Sequence, residues 1–310
     1  MRVIFLGTPE FAVKVLEEIN KSNHEVVAVV CQEDKPTGRG NKVLPPAVKI
    51  KANELGLPVY QFKKIRVDGV EILKSLNADI MVTCAYGQIL SQEIIDICKF
   101  GIINVHGSLL PKYRGASPIQ SVLINGEKIT GVTIMKTEAG IDTGDMLIKE
   151  ECTIECDDNY ESLAKKLSNI GASLAVKALD LIENGKAVFV PQNHDEASHC
   201  KMFKKEDTII NFDKSAKEMV NLVWGLNPNP VAVFYLAGES YKVWQAKEVE
   251  YVGQEQNGTI ISANSKKGFI IKCAGGAVEV IEMTAPNSKK MSAKSYLNGK
   301  KIEEGLVVNM

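Results

Sequence analysis

The sequence predicts an α/β protein: an N-terminal Rossmann-like open sheet of parallel type with flanking helices, and after it a small C-terminal β-barrel of OB-like form. Three observations carry this. Strand-sized apolar runs alternate with helical-period segments through the first half of the chain, the pattern of repeated βαβ units. A polar stretch without period interrupts the chain near residue 190. Beyond it, short strand-like runs follow one another with turn signals between them, as in a small all-β domain. At 310 residues the chain has room for two cores, because a single core seldom grows past ~250–300 residues.

The elements follow in order. Val3-Ile4-Phe5-Leu6 is a continuous apolar run, suited to a strand buried on both faces. Phe11, Val15, Leu16 and Ile19 recur at helical spacing, with Pro9 suited to a first helical turn. Val26 to Val30 reads as the next strand, so the crossover is expected to be right-handed. Further strands are expected at Ile80–Thr83, Ile102–Val105 and Gly131–Ile134, and an amphipathic helix from Tyr160 to Asn184, closed by Gly185. These define a domain over residues 1–188 and a linker over 189–206. In the second domain, 207–310, a helix is expected from Phe212 to Leu226. Five strands follow at Val231–Leu236, Tyr241–Lys247, Thr259–Ala263, Gly268–Cys273 and Ala277–Met283.

Charge and composition exclude several classes. Lys+Arg is 37 against Asp+Glu 38, which argues against a protein that coats nucleic acid by bulk charge and against an acidic tail. With 45% apolar and 24% charged residues the chain is globular. No apolar run approaches the ~18–20 residues that span a bilayer, and the apolar run before Gly7 is too short for a secretory signal. Seven scattered cysteines suit free thiols in a reducing compartment, so a cytoplasmic protein without a membrane partner is expected. Gly7-Thr8-Pro9-Glu10-Phe11 keeps only the first glycine of a dinucleotide-binding turn, which argues against a nicotinamide cofactor. A phosphate-binding loop of the Walker type is also missing from the sequence.

The segment that carries chemistry is Ile102 to Pro111. Asn104 and His106 lie two residues apart on a strand and so leave the same face. At the carboxyl end of a parallel strand they point into the crevice where open α/β sheets bind ligands. An amide donor beside a titratable donor suits an oxyanion next to a proton transfer. A second segment, Ala139-Gly140-Ile141-Asp142-Thr143-Gly144-Asp145, offers two carboxylates in a glycine-rich turn, either of which could face His106 and hold its tautomer. Spacing alone leaves Asp142 and Asp145 open.

Together these segments resemble the folate-dependent formyltransferase family. Asn104-x-His106-x-Ser108-Leu109-Leu110-Pro111 and Gly140-Ile141-Asp142-Thr143-Gly144-Asp145 carry the resemblance. It extends over essentially the whole chain through Phe5–Ala12, Asp34–Gly40, Ala85–Leu90 and Pro111–Gln120. The resemblance implies transfer of the formyl group of 10-formyltetrahydrofolate, as co-substrate and without a metal, to the α-amino group of methionine on initiator tRNA. By the family pattern Asn104, His106 and Asp142 are catalytic. Ser108, Leu109, Leu110 and Pro111, with the backbone around Gln88, Ile89 and Leu90, hold the folate. Gly7, Thr8 and Phe11 shape the methionine pocket. The long basic segment with Lys35, Arg39 and Lys42 reads the acceptor stem, Arg39 standing between two glycines. A monomer is expected.

Eight lysines against two glutamates between residues 259 and 301 suggest a grip on the tRNA backbone. Asn229, in Asn227-Pro228-Asn229-Pro230, stands where the family commonly has tryptophan, which weakens any stacking role there. His194, His199 and Cys200 lack metal-ligand spacing and fall in the expected linker. Cys152 and Cys156 read as structural thiols. The competing enzyme reading is a sugar-nucleotide N-formyltransferase, which would share the three catalytic residues but leave Arg39 without a purpose. A catalytically silent RNA-binding protein would have no need of them.

Overall fold

The computed structural model describes residues 1–37 and 42–309. The chain forms two compact units. The first comprises Met1–Pro118, Ile129–Thr153 and Ala164–Cys200; the second comprises Ile119–Lys128, Ile154–Leu163 and the chain from Lys201 onward.

The first unit is built on seven strands: β1 (Arg2–Gly7), β2 (Glu25–Cys31), β3 (Val59–Gln61), β4 (Ile80–Cys84), β5 (Ile102–His106), β6 (Ile129–Lys136) and β7 (Met146–Thr153), in the order β7-β6-β5-β4-β1-β2-β3. β1 to β5 pair in parallel, and β6 and β7 extend the sheet antiparallel beyond β5. The order turns back at β1, which lies between β2 and β4, and a crevice opens at such a switch point beyond the carboxyl ends of the strands. Val3, Ile4, Phe5 and Leu6 are fully buried, as the continuous apolar run requires. Helix α1 (Glu10–Lys21) buries Ala12, Val15, Leu16 and Ile19, with Pro9 at its N-cap rather than inside the first turn.

Helix α2 (Tyr160–Glu183) packs behind β5. It comes close because residue 171 is glycine: a Cβ there would stand 2.8 Å from Val105 Cγ1. The strand that carries Asn104 and His106 is thus backed by a helix at its midpoint.

The polar run after residue 189 is not a free linker. Val190 bridges Met146, and His199–Cys200 pairs in parallel with Arg114–Gly115. Gln192 is buried, 4% exposed. Polar side chains and main-chain pairs, with no apolar period to announce them, fasten this stretch to the first unit.

In the second unit, helix α3 (Ala216–Leu226) starts later than expected, after Ser215, whose side chain and that of Glu218 form a reciprocal cap. Six antiparallel strands follow, one more than expected: β8 (Ala232–Leu236), β9 (Glu239–Val249), β10 (Ile260–Asn264), β11 (Gly268–Cys273), β12 (Gly276–Thr284) and the short β13 (Met291–Ser292), the first five ordered β8-β9-β12-β11-β10 and β13 pairing β12. The end of the chain joins the two edges. Ile260 N donates to Leu306 O at 2.8 Å, and Asn309 N to Tyr235 O at 2.7 Å. Inside, Phe234 stacks on Tyr241 and meets Phe269 edge-on, with centroids 5.1 and 5.9 Å apart. Among the described residues no helix is long and apolar enough to cross a membrane.

Candidate active site

Strand β5 delivers Asn104 and His106 to one face, as a period of two requires. His106 is 5% exposed. Its Nε2 lies 2.9 Å from the main-chain carbonyl of Tyr113, which can only accept, so Nε2 carries the hydrogen. Nδ1 then faces Asp142 Oδ2 at 3.6 Å. Asn104 is oriented from the neighbouring strand. The Thr83 hydroxyl donates to Asn104 Oδ1 at 2.9 Å, which turns Nδ2 toward Asp142 Oδ1 at 3.5 Å.

Asp142 arrives from the loop between β6 and β7, in left-handed backbone at φ 51°. The glycines of the loop let its backbone pack closely: a Cβ on Gly144 would stand 2.0 Å from Lys136 O, and one on Gly140 2.2 Å from Thr143 Oγ1. The N–H of Gly115 donates to Asp142 Oδ2 at 2.8 Å. Asp145, the other aspartate of the loop, accepts at its main-chain carbonyl from Lys136 N at 2.8 Å. Asp142 is the one whose carboxylate meets Asn104 and His106. Asn104 Nδ2 and His106 Nδ1 therefore both face the Asp142 carboxylate, across 3.5 and 3.6 Å, long for hydrogen bonds.

Among the residues expected to hold folate, two kinds of position emerge. Ser108 and Leu110 are buried, 0% and 1% exposed, and brace the turn from within. The Ser108 hydroxyl donates to Lys112 O at 2.7 Å, and Leu110 N donates to Thr133 Oγ1 at 3.2 Å. Gln88 spends its side chain on Ile65 N and Phe62 O at 2.9 and 2.8 Å, which leaves its backbone for a ligand. Ile89 is 78% exposed, and Leu90, Leu109 and Pro111 are half-buried. At the end of β1 the Thr8 hydroxyl donates to Tyr86 O at 2.9 Å, tying the two sides of the switch point together, while Gly7 lets α1 start close to Phe5. Burial pushes the thiol of Cys31 up to about 11 and that of Cys84 higher still, so neither supplies a thiolate.

Of the tRNA-facing candidates, Lys35 lies in a short hairpin in which Lys35–Thr37 pairs with Lys42–Leu44. Arg39 lies outside the described residues. In the second unit Lys272 is buried and donates to Cys273 O, and Lys290 and Lys294 pair with Glu282 and Glu279. The basic face is therefore narrower than a count of lysines suggests, with Lys266, Lys267, Lys289, Lys300 and Lys301 exposed.

Sequence reasoning missed the amide of Gln192, which holds the main chain of Asp142, and the fork of Arg114, which holds Gln192. Arg114 stands in a stretch that the family resemblance already covers, but nothing local distinguishes Gln192 in its polar run.

The chain matches the formyl transferase family over residues 1–179 and the C-terminal domain of that family over residues 202–301. The methionyl-tRNA formyltransferase of Agathobacter rectalis is 44% identical over 306 residues, 98% of this chain and 98% of that protein. That of Clostridioides difficile is also 44% identical, over 99% of this chain and 100% of that protein. Among solved structures, an N-formyltransferase from Helicobacter canadensis in complex with folinic acid and dTDP-3-aminofucose superposes with TM-score 0.67 at 20% identity, covering 90% of this chain and 98% of that one. HypX from Aquifex aeolicus, in complex with tetrahydrofolic acid, gives TM-score 0.66 at 16% identity over 98% of this chain and 50% of its own.

Proposed function

The chain belongs to the formyl transferase family, and on that footing we propose that it moves the formyl group of 10-formyltetrahydrofolate onto the α-amino group of methionine carried by initiator tRNA, in the cytoplasm and as a monomer. The observation that carries the reading is the convergence of Asn104 Nδ2 and His106 Nδ1 on the Asp142 carboxylate across gaps longer than ordinary hydrogen bonds. Full-length similarity to methionyl-tRNA formyltransferases favours this acceptor over an amino sugar nucleotide.

When the amine adds to the formyl carbon, its carbonyl oxygen gains negative charge. Asn104 Nδ2, already aimed by Thr83, donates to that oxygen, and so does protonated His106. A single such donor contributes about 3–4 kcal/mol to the barrier. Asp142, beside the ring, orients the imidazole. It helps pass the proton from the attacking amine to the departing folate nitrogen through water. An α-amino group titrates near ~8, so part of the acceptor is neutral at pH 7 without a strong base. The mechanism calls on no metal.

The exposed Ile89, with Leu90, Leu109 and Pro111, forms the apolar wall for the pterin. Backbone groups around Gln88 and the turn braced by Ser108 and Leu110 supply polar contacts. Lys35, Arg39 and Lys42 meet the acceptor stem. Residues 1–188 act as the catalytic domain and 207–310 as the tRNA-holding domain, joined through 189–206.

The test is transfer from formylated folate with purified protein and three acceptors: methionyl-initiator tRNA, methionyl-elongator tRNA and an amino sugar nucleotide. Preference for the first supports the reading, and turnover only with the sugar ends it.

A further inference from the structure

Behind Asp142 lies a polar relay made of two buried side chains that the chemistry above does not use. Arg114 is 3% exposed and Gln192 4%. The Arg114 guanidinium donates twice to Gln192 Oε1, from Nε at 3.0 Å and Nη2 at 2.7 Å. The amide nitrogen of Gln192 donates to the main-chain carbonyls of Asp142 and Gly144, at 2.9 and 2.7 Å. The amide is thus saturated at both ends, and its orientation is fixed. Turning it over would set two hydrogens against the guanidinium and an oxygen against two carbonyls, which loses all four bonds.

What this relay holds is specific. Of all the backbone in the loop, Gln192 grips the catalytic aspartate's own carbonyl and that of the residue two further on. The residue after Arg114 grips the same aspartate's carboxylate, through Gly115 N at 2.8 Å. Asp142 is therefore clamped at its main chain and at its side chain from a single dipeptide, Arg114–Gly115. The clamp has work to do, because left-handed backbone is unfavourable for a residue with a Cβ by about 1–2 kcal/mol. No salt bridge joins Arg114 to a carboxylate among the described residues; its guanidinium meets Gln192 Oε1 and His194 Nδ1, the latter at 3.2 Å.

We infer that Gln192, locked by Arg114, is the positioning residue of the active site: it fixes where the Asp142 carboxylate stands relative to the His106 ring. The inference rests on the formyl-transfer reading for its kinetic arm only. The test uses the full-length protein with Gln192→Met, which removes every bond, and Gln192→Glu, which keeps the acceptor toward Arg114 and removes both donors. The chain has four histidines, so the ring ¹⁵N and ¹H signals of His106 are assignable from a His106→Gln spectrum. In both variants the His106 signals move in the direction set by Asp142→Asn, while those of His24 stay put. kcat falls roughly 10²-fold, the scale of a misplacement near 1 Å, with unchanged KM for both substrates. Should Gln192→Met fail to fold, Gln192→Glu decides alone. His106 signals that do not move in a folded variant overturn the inference even if kcat falls, since Gln192 then serves only the loop's fold. kcat near wild type overturns it as well. If the wild-type protein transfers no formyl group to methionyl-tRNA, the functional reading fails and the ring signals still decide the relay.

Discussion

The N–H of Gly115 lies 2.8 Å from Asp142 Oδ2, whereas the His106 ring reaches the same oxygen only at 3.6 Å. The carboxylate is therefore held more closely by the backbone than by the histidine beside it. Asp142→Asn tests the division of labour, because the amide oxygen can still accept from Gly115 while the charge is gone. Transfer is expected to fall on the order of 10²–10⁴-fold, with the melting temperature little changed. Steady-state transfer and thermal melting of the same preparation check both halves. A variant that turns over at the wild-type rate removes Asp142 from the proton path.

Thr83 makes a sharper prediction about Asn104. Its hydroxyl is the donor that decides which way the amide faces. Asn104→Asp removes the donor and is expected to cost ~10²–10³-fold in kcat. Thr83→Val keeps the shape and costs less, since it only frees the amide to turn. The two losses are not expected to add, because both act through one N–H. A double variant much worse than Asn104→Asp would show that Thr83 does something else.

How far the sequence could be read follows from the range of each contact. A continuous apolar run makes a buried strand wherever it lies, and two residues two apart share a face, so β1, β5 and the Asn104–His106 pair were legible locally. Choosing Asp142 over Asp145 needed the family pattern; spacing left both open. Gln192 was illegible because its partners stand 78 and 50 residues away, and a glutamine in a polar run carries no period. Lys272 misled for a related reason. It looks like surface charge in sequence, yet its stem is buried and its ammonium bonds the adjacent carbonyl.

Arg39 stands between Gly38 and Gly40 in the basic segment that the family resemblance links to the acceptor stem. Arg39→Ala is expected to raise KM for charged tRNA and to leave KM for the folate unchanged. If its fork meets a phosphate, the slope of log affinity against log salt becomes shallower by about 0.7–0.9, one phosphate's share. Binding measured at several salt concentrations checks this, and an unchanged slope would assign Arg39 to base contacts alone.

The cap of α3 carries a pH signature. The backbone N–H and hydroxyl of Ser215, followed by Lys214, hold the Glu218 carboxyl down from its ordinary 4.5 to about 2. A depressed carboxyl contributes stability that is complete above the unfolded value and is lost as pH falls through the folded one. The melting temperature of wild type should exceed that of Glu218→Gln above about pH 4.5, and the gap should close toward about pH 2. A gap that ignores pH would point to packing rather than to the charged cap.

Gly171 links the stability of the first unit to its site. A methyl group there would stand 2.8 Å from Val105 Cγ1, on the strand residue between Asn104 and His106. In an exposed helix Gly→Ala gains about 0.8–1.0 kcal/mol of propensity. At this buried crossing the overpacking cost of about 1–3 kcal/mol outweighs it, because Val105 sits on a central strand with little room to retreat. Gly171→Ala is therefore expected to destabilise slightly, and Gly171→Val strongly. kcat should fall too, since displacing Val105 shifts both donors. Val105→Ala opens the space that the new methyl needs, so the pair Gly171→Ala/Val105→Ala should be more stable than the two single effects add up to. Denaturant unfolding of the four proteins measures that coupling, and strict additivity would mean that the helix does not bear on the strand at this point.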